Sequence, residues 1–169
     1  MEHLLELTFT GTSRHKVDGK GRVSIPAQFR RVLEAADPNW REGLAPTVFL
    51  THGPPEQAHL DCFSAAAMEE ILQGMNALPL GSERRELLEY YFSSNTIKTS
   101  TDDTGRLVLS AALRKQIGVT GEAVFVARGK SFRILSPEAY EEYAAEQKQR
   151  LAALSKGGNP LALLSGGEG

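Results

Sequence analysis

The chain repeats itself, and this internal repeat constrains the fold more than any other feature. At an offset of 84 residues, segment 18–30 (DGKGRVSIPAQFR) aligns with segment 102–114 (DDTGRLVLSAALR), with Asp, Gly, Arg, Ala and Arg identical. Later segments match at offsets of 72 to 76: Val48-Phe49-Leu50 aligns with Val124-Phe125-Val126, and Ser64 aligns with Ser136. The smaller offset indicates insertions in the first copy, which we place in loops 37–43 and 52–56. Two related units therefore build the chain.

Each copy shows the same order of predicted elements. An Asp-x-x-Gly-Arg turn comes first, in which glycine supplies a positive φ and the aspartate can accept bonds from the amides ahead of it. A short strand follows, then a brief helix with apolar residues at helical spacing, a hairpin of two strands, and a longer helix opened by a serine. Residues 79–81 mark the seam between the copies, and a further helix is predicted after Ser82.

Composition and charge exclude several classes of protein. With 41% hydrophobic and 24% charged residues among 169, the chain is typical of an ordinary globular protein. Its net charge of −2 provides no overall attraction to nucleic acid, so such binding would need a local basic patch. Cys62 is the single cysteine, which excludes an intramolecular disulfide and favours a reducing compartment. Because the sequence shows neither a signal peptide nor a long apolar run, we expect a cytoplasmic protein without a membrane partner.

The residues give little support to an enzyme. Cys62 could act as a nucleophile with His52 or His59, but it lies in the alternating run 58–63, which is typical of a buried strand. The four histidines show no metal-ligand spacing, and no glycine-rich segment has the phosphate-loop pattern. We therefore predict no catalytic residue, no metal, no cofactor and no small-molecule substrate.

Burial dictates how the two copies combine. A unit of about 70 residues with such short strands would leave unpaired strand edges and a marginal core. We therefore predict an α+β fold in which two units, residues 8–79 and 80–150, pair their strands into one small, closed or nearly closed β-barrel. The barrel would have pseudo-two-fold symmetry and flanking helices. Residues 151–169 are predicted to form a flexible tail, because Gly and Ser are frequent there.

Two Asp-x-x-x-Arg turns in tandem, the first within DGKGRVSIPAQFR, resemble the MraZ family of bacterial transcriptional regulators. The units of that family belong to the SpoVT-AbrB class of swapped-hairpin DNA-binding domains. The resemblance covers roughly residues 9–150, and the duplication with matching flanks makes it specific. Two features depart from the family pattern. Residues 1–7 are additional, and the second turn reads Asp-Asp-Thr-Gly where the first reads Asp-Gly-Lys-Gly, so it should attract phosphate less.

The resemblance implies a function and its residues. The protein would be a nucleoid-associated regulator that forms a closed homo-oligomeric ring. It would bind repeated sites on the double-stranded promoter DNA of the division and cell-wall gene cluster, and we expect it to repress. Carried over to this sequence, the signature carboxylates are Asp18 and Asp102, and the signature arginines are Arg22 and Arg106.

Local charge favours the first turn as the DNA-binding surface. Residues 14–31 hold six basic residues and one acidic residue, whereas residues 98–115 hold four and two. The predicted DNA-binding residues are Arg14, Lys16, Lys20, Arg22 and Arg106. Secondary candidates lie on the short helices: Arg30, Arg31, Arg114 and Lys115.

Other interpretations stay open at the level of the sequence. Asp18 and Arg22 can form a salt bridge that only fixes the turn. The chain could then be a structural protein that assembles into oligomers. An antitoxin-like regulator of the same fold would instead bind a protein partner. A steep salt dependence of DNA binding would distinguish a DNA-binding protein from an assembly protein.

Overall fold

The computed structural model describes residues 3–165. Those residues form eight strands: β1 (Thr12–Lys16), β2 (Arg22–Ser24), β3 (Thr47–Thr51), β4 (His59–Phe63), β5 (Thr96–Ser100), β6 (Arg106–Val108), β7 (Glu122–Arg128) and β8 (Ser131–Leu135). They also form five α-helices: α1 (Ala27–Ala35), α2 (Ala65–Asn76), α3 (Glu83–Leu88), α4 (Ala111–Ile117) and α5 (Pro137–Ser155). A π-helical segment, Glu89–Ser94, continues α3, and a 3-10 helix, Pro160–Leu164, follows α5. The described residues up to Pro137 form one unit, and those from Glu138 form a second.

The strands interlock the two repeats. Six of them form an antiparallel sheet in the order β1-β7-β8-β4-β3-β5, while β2 and β6 pair into a separate antiparallel ribbon. When the strands of one repeat are exchanged for their counterparts in the other, the sheet order is reversed but otherwise unchanged. The architecture is therefore pseudo-two-fold, and the predicted α+β class is confirmed. Among the described strands, the ladders that form within one repeat are the hairpins β3–β4 and β7–β8.

The predicted closed β-barrel is not found in residues 3–165. Strands β1 and β5 are the two edges of the six-stranded sheet, and each pairs with one neighbouring strand. The β2–β6 ribbon is joined to the end of β1 by the single bridge between Val17 and Val23. Strands β2 and β6 have three residues each and extend only about 10 Å. Their backbone groups form hydrogen bonds with each other, so the ribbon does not connect the two edges of the sheet.

The strand register corrects one detail of the repeat alignment. The pairings of β1 with β7 and of β5 with β3 make Leu50 equivalent to Phe125, an offset of 75, whereas the sequence alignment matched Phe49 to Phe125. Leu50 and Phe125 are both buried. Because side chains alternate along a strand, a shift of one residue would turn these side chains away from the core.

The core lies on one face of the sheet, beneath the ribbon and the two short helices. As their spacing predicts, the apolar residues of α1 and α4 are buried: Phe29, Val32, Leu33, Leu113 and Ile117. Phe29 also packs edge-on against Phe9, with ring centroids 5.3 Å apart. Gly118 ends α4 with a φ of +69°, a left-handed conformation that suits glycine.

Partly buried polar contacts anchor the two loops that lengthen the first copy. Asp37 accepts hydrogen bonds from the backbone amides of Asn39 and Thr47, both at 3.0 Å. The side-chain amide of Gln116, on α4, lies 2.7, 3.0 and 3.3 Å from three backbone carbonyl oxygens of the second loop. Gln116 interrupts an apolar helix face in the sequence because it binds the longer loop of the other repeat.

The second structural unit, the described residues from Glu138 onward, is helical. Helix α5 continues to Ser155, four residues past the start of the predicted tail at residue 151, because Leu-Ala-Ala-Leu favours helix until Gly157. Residues 166–169 of that tail lie outside the described part of the chain. This unit exposes Leu151, Leu154, Leu161 and Leu164. Among the residues described, no helix is long and apolar enough to cross a membrane.

Candidate nucleic-acid interface

The first turn is held together by its aspartate. Oδ1 of Asp18 accepts hydrogen bonds from the backbone amides of Lys20 and Arg22, both at 2.9 Å, and Oδ2 accepts one from Nε of Arg22 at 2.6 Å. Gly21 has a φ of +83°, and a Cβ there would overlap the carbonyl oxygen of Leu109. The salt bridge between Asp18 and Arg22, which the sequence could not decide, is therefore present. It occupies Nε of Arg22, and in the described structure both terminal guanidinium nitrogens remain available.

These hydrogen bonds favour the charged carboxylate. The backbone amide of Arg22 is the largest cause that lowers the pKa of Asp18, which falls to about 2 despite partial desolvation. The Arg22 guanidinium and the Lys20 amide lower it further. Asp18 is therefore ionised throughout the physiological pH range and can hold the arginine in one orientation.

The second turn has the same geometry. Oδ1 of Asp102 accepts hydrogen bonds from the backbone amides of Thr104 and Arg106 at 2.9 Å, and Oδ2 accepts one from Nε of Arg106 at 2.9 Å. The Arg106 amide is again the largest cause that lowers the pKa of the aspartate, here also to about 2. Each repeat thus presents one arginine fixed by a charged aspartate.

Arg22 and Arg106 lie on the same face of the β2–β6 ribbon. Arg22 pairs with Val108, and Arg106 pairs with Ser24. Since side chains alternate along a strand, these four residues share the outer face, while the central residue of each strand is buried in the core. The pseudo-two-fold axis passes between the two central residues. The arginines therefore occupy equivalent diagonal positions, about 7–8 Å apart at the backbone.

The arginines of the two short helices are exchanged between the turns. Arg114, in the second repeat, donates a hydrogen bond from Nε to the carbonyl of Leu109 at 3.1 Å and lies against Gly21 of the first turn. Its equivalent, Arg30, lies against Gly105 of the second turn. Because β2 and β6 are antiparallel, the chain that leaves each strand enters its helix beside the turn of the other repeat. Counting charge along the sequence assigned Arg30 to the first turn, and the structure corrects this.

The two turns differ in charge. The first turn contains Lys20 and Arg22 with the single acid Asp18, and Arg114 lies against its Gly21. The second turn borders a cleft formed with loop 43–46, whose charged lining residues are Arg30, Glu34, Asp102 and Asp103. The acidic side chains there oppose the charges of Arg30 and Arg106. The first turn is thus the more favourable position for a phosphate group.

The remaining basic candidates lie on strand β1 and on the two short helices. Arg14 and Lys16 are exposed on the edge strand β1, which leads into the first turn. Arg14 forms an ion pair with Glu122 at 3.5 Å, with both side chains about half exposed. Arg31 and Lys115 are exposed on α1 and α4. The structure therefore places Lys20, Arg22, Arg106 and Arg114 around the ribbon, and Arg14 and Lys16 on the adjoining strand.

A buried charged cluster was not predicted from the sequence. Asp61 of β4 pairs in register with Arg133 of β8, whose Nε lies 2.9 Å from Oδ1. His59, Tyr91 and Arg128 also contact this carboxylate, at 3.4, 3.2 and 3.6 Å. Burial raises the pKa of Asp61, but the hydrogen bond from His59 and the charge of Arg133 outweigh it and lower the pKa to about 2. A charged residue at equivalent strand positions of both repeats was the available signal.

Cys62 is fully buried in β4, and burial raises the pKa of its thiol well above the ordinary value. Its thiolate is therefore not accessible as a nucleophile. Within residues 3–165, no group of three or more His, Cys, Asp or Glu side chains is arranged to hold a metal ion.

Comparison with protein families places both turns in a known context. A family model described as "MraZ protein, putative antitoxin-like" matches residues 8–37 and 92–156, more than half of the chain. Each of the two matched segments contains one Asp-x-x-x-Arg turn.

Curated proteins named "Transcriptional regulator MraZ" are similar over almost the whole chain. The protein of Ruegeria sp. (strain TM1040) is 47% identical over 162 residues, 95% of this chain and 97% of its own. That of Ruegeria pomeroyi is 44% identical with the same coverage. That of Cereibacter sphaeroides (strain ATCC 17025 / ATH 2.4.3) is 35% identical over 164 residues, 92% of this chain and 95% of its own. The resemblance first noted in the two turns is thereby confirmed, and the chain belongs to the MraZ family of transcriptional regulators.

Proposed function

We propose that this protein regulates transcription by binding double-stranded DNA through the outer face of the β2–β6 ribbon. The observation that carries the proposal is the pair Arg22 and Arg106. Both lie on one face of the ribbon, and each is fixed at Nε by an aspartate that leaves the terminal nitrogens available. Membership in a family of regulators supports this function, and it confirms that the chain is not an enzyme.

The ribbon has suitable dimensions and chemistry for the major groove. A two-stranded β-ribbon fits into that groove of B-form DNA. An arginine can donate two hydrogen bonds to O6 and N7 of guanine, which contributes about 1–3 kcal/mol of discrimination. In this arrangement Arg22 and Arg106 contact bases, and Asp18 and Asp102 orient them. Phosphate groups are bound by the surrounding basic side chains: Arg14, Lys16, Lys20 and Arg114.

One ribbon provides few base contacts, so tight binding requires several subunits. We propose a homo-oligomeric ring in which neighbouring ribbons engage direct repeats about 10–10.5 bp apart. The two repeats, residues 8–79 and 80–150, act together as one swapped-hairpin DNA-binding unit. The exposed leucines of the C-terminal unit, such as Leu154 and Leu161, provide apolar surface for subunit contacts. The two repeats differ, so head-to-tail contacts can close into a ring.

We propose that the target is the promoter of the division and cell-wall gene cluster, which the nucleoid-associated cytoplasmic ring occupies and represses. Binding to fragments of that promoter with one, two, three and four repeats tests this directly. Affinity should increase steeply with repeat number and fall steeply with salt. Equal affinity for one and four repeats, or a monomer or simple dimer in size-exclusion chromatography with light scattering, would contradict the ring mechanism.

Self-assembly without DNA is the second candidate function, and the same exposed leucines favour it. In that case Arg22 and Arg106 would form ion pairs across subunits, and the protein would bind none of the promoter DNA fragments. Binding of a protein partner by an antitoxin-like regulator would likewise leave promoter fragments unbound.

A further inference from the structure

We infer that Ser24 and Val108 give the ribbon a direction on DNA, and that Val108 contacts the methyl group of a thymine. This inference rests on the proposed function, because it concerns the same outer face of the β2–β6 ribbon. It assigns a specificity-determining role to two residues that carry no charge.

The register places these residues at equivalent positions. Ser24 lies opposite Arg106, and Val108 lies opposite Arg22, so the pseudo-two-fold axis of the ribbon exchanges Ser24 with Val108. The same axis exchanges the two arginines. The outer face is therefore symmetric in its arginines and asymmetric in this one pair.

Val108 differs in burial from the other valine of the ribbon. Val108 is 54% exposed, whereas Val23 is 1% exposed. Ser24, the counterpart of Val108, is also exposed but polar. An apolar side chain thus lies in the open between two arginines that we place at the bases.

The chemistry of the major groove identifies the group that Val108 fits. The C5-methyl of thymine is the apolar group that base pairs present there, and apolar side chains recognise it. With arginines alone, the ribbon would bind two guanines equally well in either orientation. A methyl contact at one end only makes one orientation more stable. A directional subunit is what head-to-tail DNA repeats require.

Replacing thymine by deoxyuridine removes the methyl group and leaves the hydrogen-bonding groups unchanged. We would measure, at constant salt, the affinity of the whole protein for a promoter fragment in which each thymine is replaced in turn. The wild type should lose about fourfold at one thymine per repeat, the effect of one methyl group. Val108→Ser should bind the unmodified fragment about fourfold more weakly and be insensitive to that replacement. Val108→Thr, which keeps one methyl group, should stay sensitive.

An exchange of the two residues tests the direction. Because the two-fold axis exchanges both the arginines and this pair, the double variant Ser24→Val and Val108→Ser has the wild-type outer face turned end to end. It should bind in the reverse orientation and regain, at the same thymine, the sensitivity that Val108→Ser alone loses. Leu80→Ser, which removes an exposed leucine outside the ribbon, is the matched control and should bind like the wild type. Melting curves for each variant separate loss of fold from loss of contact.

The outcomes separate this inference from the function on which it rests. If the wild type binds the fragment but Val108→Ser retains the wild-type sensitivity at every thymine, the inference is wrong and the DNA-binding function stands. If Val108→Ser loses affinity equally on all fragments without losing the single sensitive position, the inference is also wrong. If the wild type binds no fragment, the proposed function fails and this inference fails with it.

Discussion

Asp61 and Arg133 occupy equivalent positions in the two repeats and face each other across β4 and β8, with Nε of the arginine 2.9 Å from the carboxylate. Both side chains are largely buried, at 11% and 14% exposure. The pseudo-two-fold axis of the sheet passes between them. One repeat therefore supplies the acid and the other the base of a single ion pair, which ties the two halves of the chain together.

Removing the acidic partner should destabilise the fold strongly. Asp61→Ala removes the carboxylate that Arg133, His59, Tyr91 and Arg128 contact, and removing one member of a buried ion pair costs about 3–5 kcal/mol. The free energy of unfolding, measured with denaturant, checks this value. Glu70→Ala is the control, because the Glu70–Lys130 pair is about half exposed, and such pairs contribute less than about 1 kcal/mol. Equal effects of the two substitutions would show that Asp61 does not anchor the two repeats to each other.

Three carboxylates should become protonated over the same acidic pH range. The pKa values of Asp18, Asp61 and Asp102 are lowered from an ordinary 3.8 to about 2. A carboxylate whose pKa is lowered in the folded state stabilises that state above its unfolded pKa, and the contribution is lost as pH falls toward the folded value. Stability from these groups should therefore stay constant above about pH 4.5 and decrease between about pH 4 and 2. Carboxyl chemical shifts followed by NMR should titrate near pH 2, and midpoints near 4 would be inconsistent with the hydrogen bonds.

Lys20 should contribute affinity without sequence preference. It lies in the first turn, where its side chain can reach a phosphate group but is not held by an aspartate as Arg22 is. Lys20→Ala should weaken binding to all DNA sequences by a similar factor and lower the slope of log affinity against log salt by about one. Titrations at several salt concentrations on promoter and unrelated DNA measure both quantities. A loss confined to promoter DNA would instead assign Lys20 to base recognition.

Arg114 should matter more for DNA binding than Arg30. The structure places Arg114 against the first turn and Arg30 in the acidic surroundings of the second. Arg114→Ala should therefore weaken promoter binding several-fold more than Arg30→Ala. The sequence alone did not rank these two secondary candidates. Parallel binding curves for the two variants measure the difference, and equal losses would contradict the charge difference between the turns.

The sequence was sufficient to predict the two turns of this site, but not how the chain brings them together. The Asp-x-x-Gly-Arg pattern predicted both turns, since Asp, Gly and the amides that follow interact over four residues. It could not predict that Arg22 and Arg106 share one face, because that depends on the pairing of β2 with β6 across 84 residues. The exchange of Arg30 and Arg114 and the open edges of the sheet are also long-range properties. Asp61 was missed because the equivalence of Asp61 and Arg133 in the two repeats does not show that β4 and β8 pair in register.

In the proposed mechanism the outer face of the ribbon binds DNA through Arg22. The most direct measurement is the affinity of Arg22→Ala for the promoter fragment, by fluorescence anisotropy, beside Arg106→Ala and the control Arg31→Ala on α1. We expect Arg22→Ala to abolish specific binding with the oligomer intact, Arg106→Ala to weaken it less because acidic residues surround the second turn, and Arg31→Ala to bind nearly as well as the wild type. Wild-type affinity of Arg22→Ala would contradict the account and leave the Asp18–Arg22 pair with a structural role only.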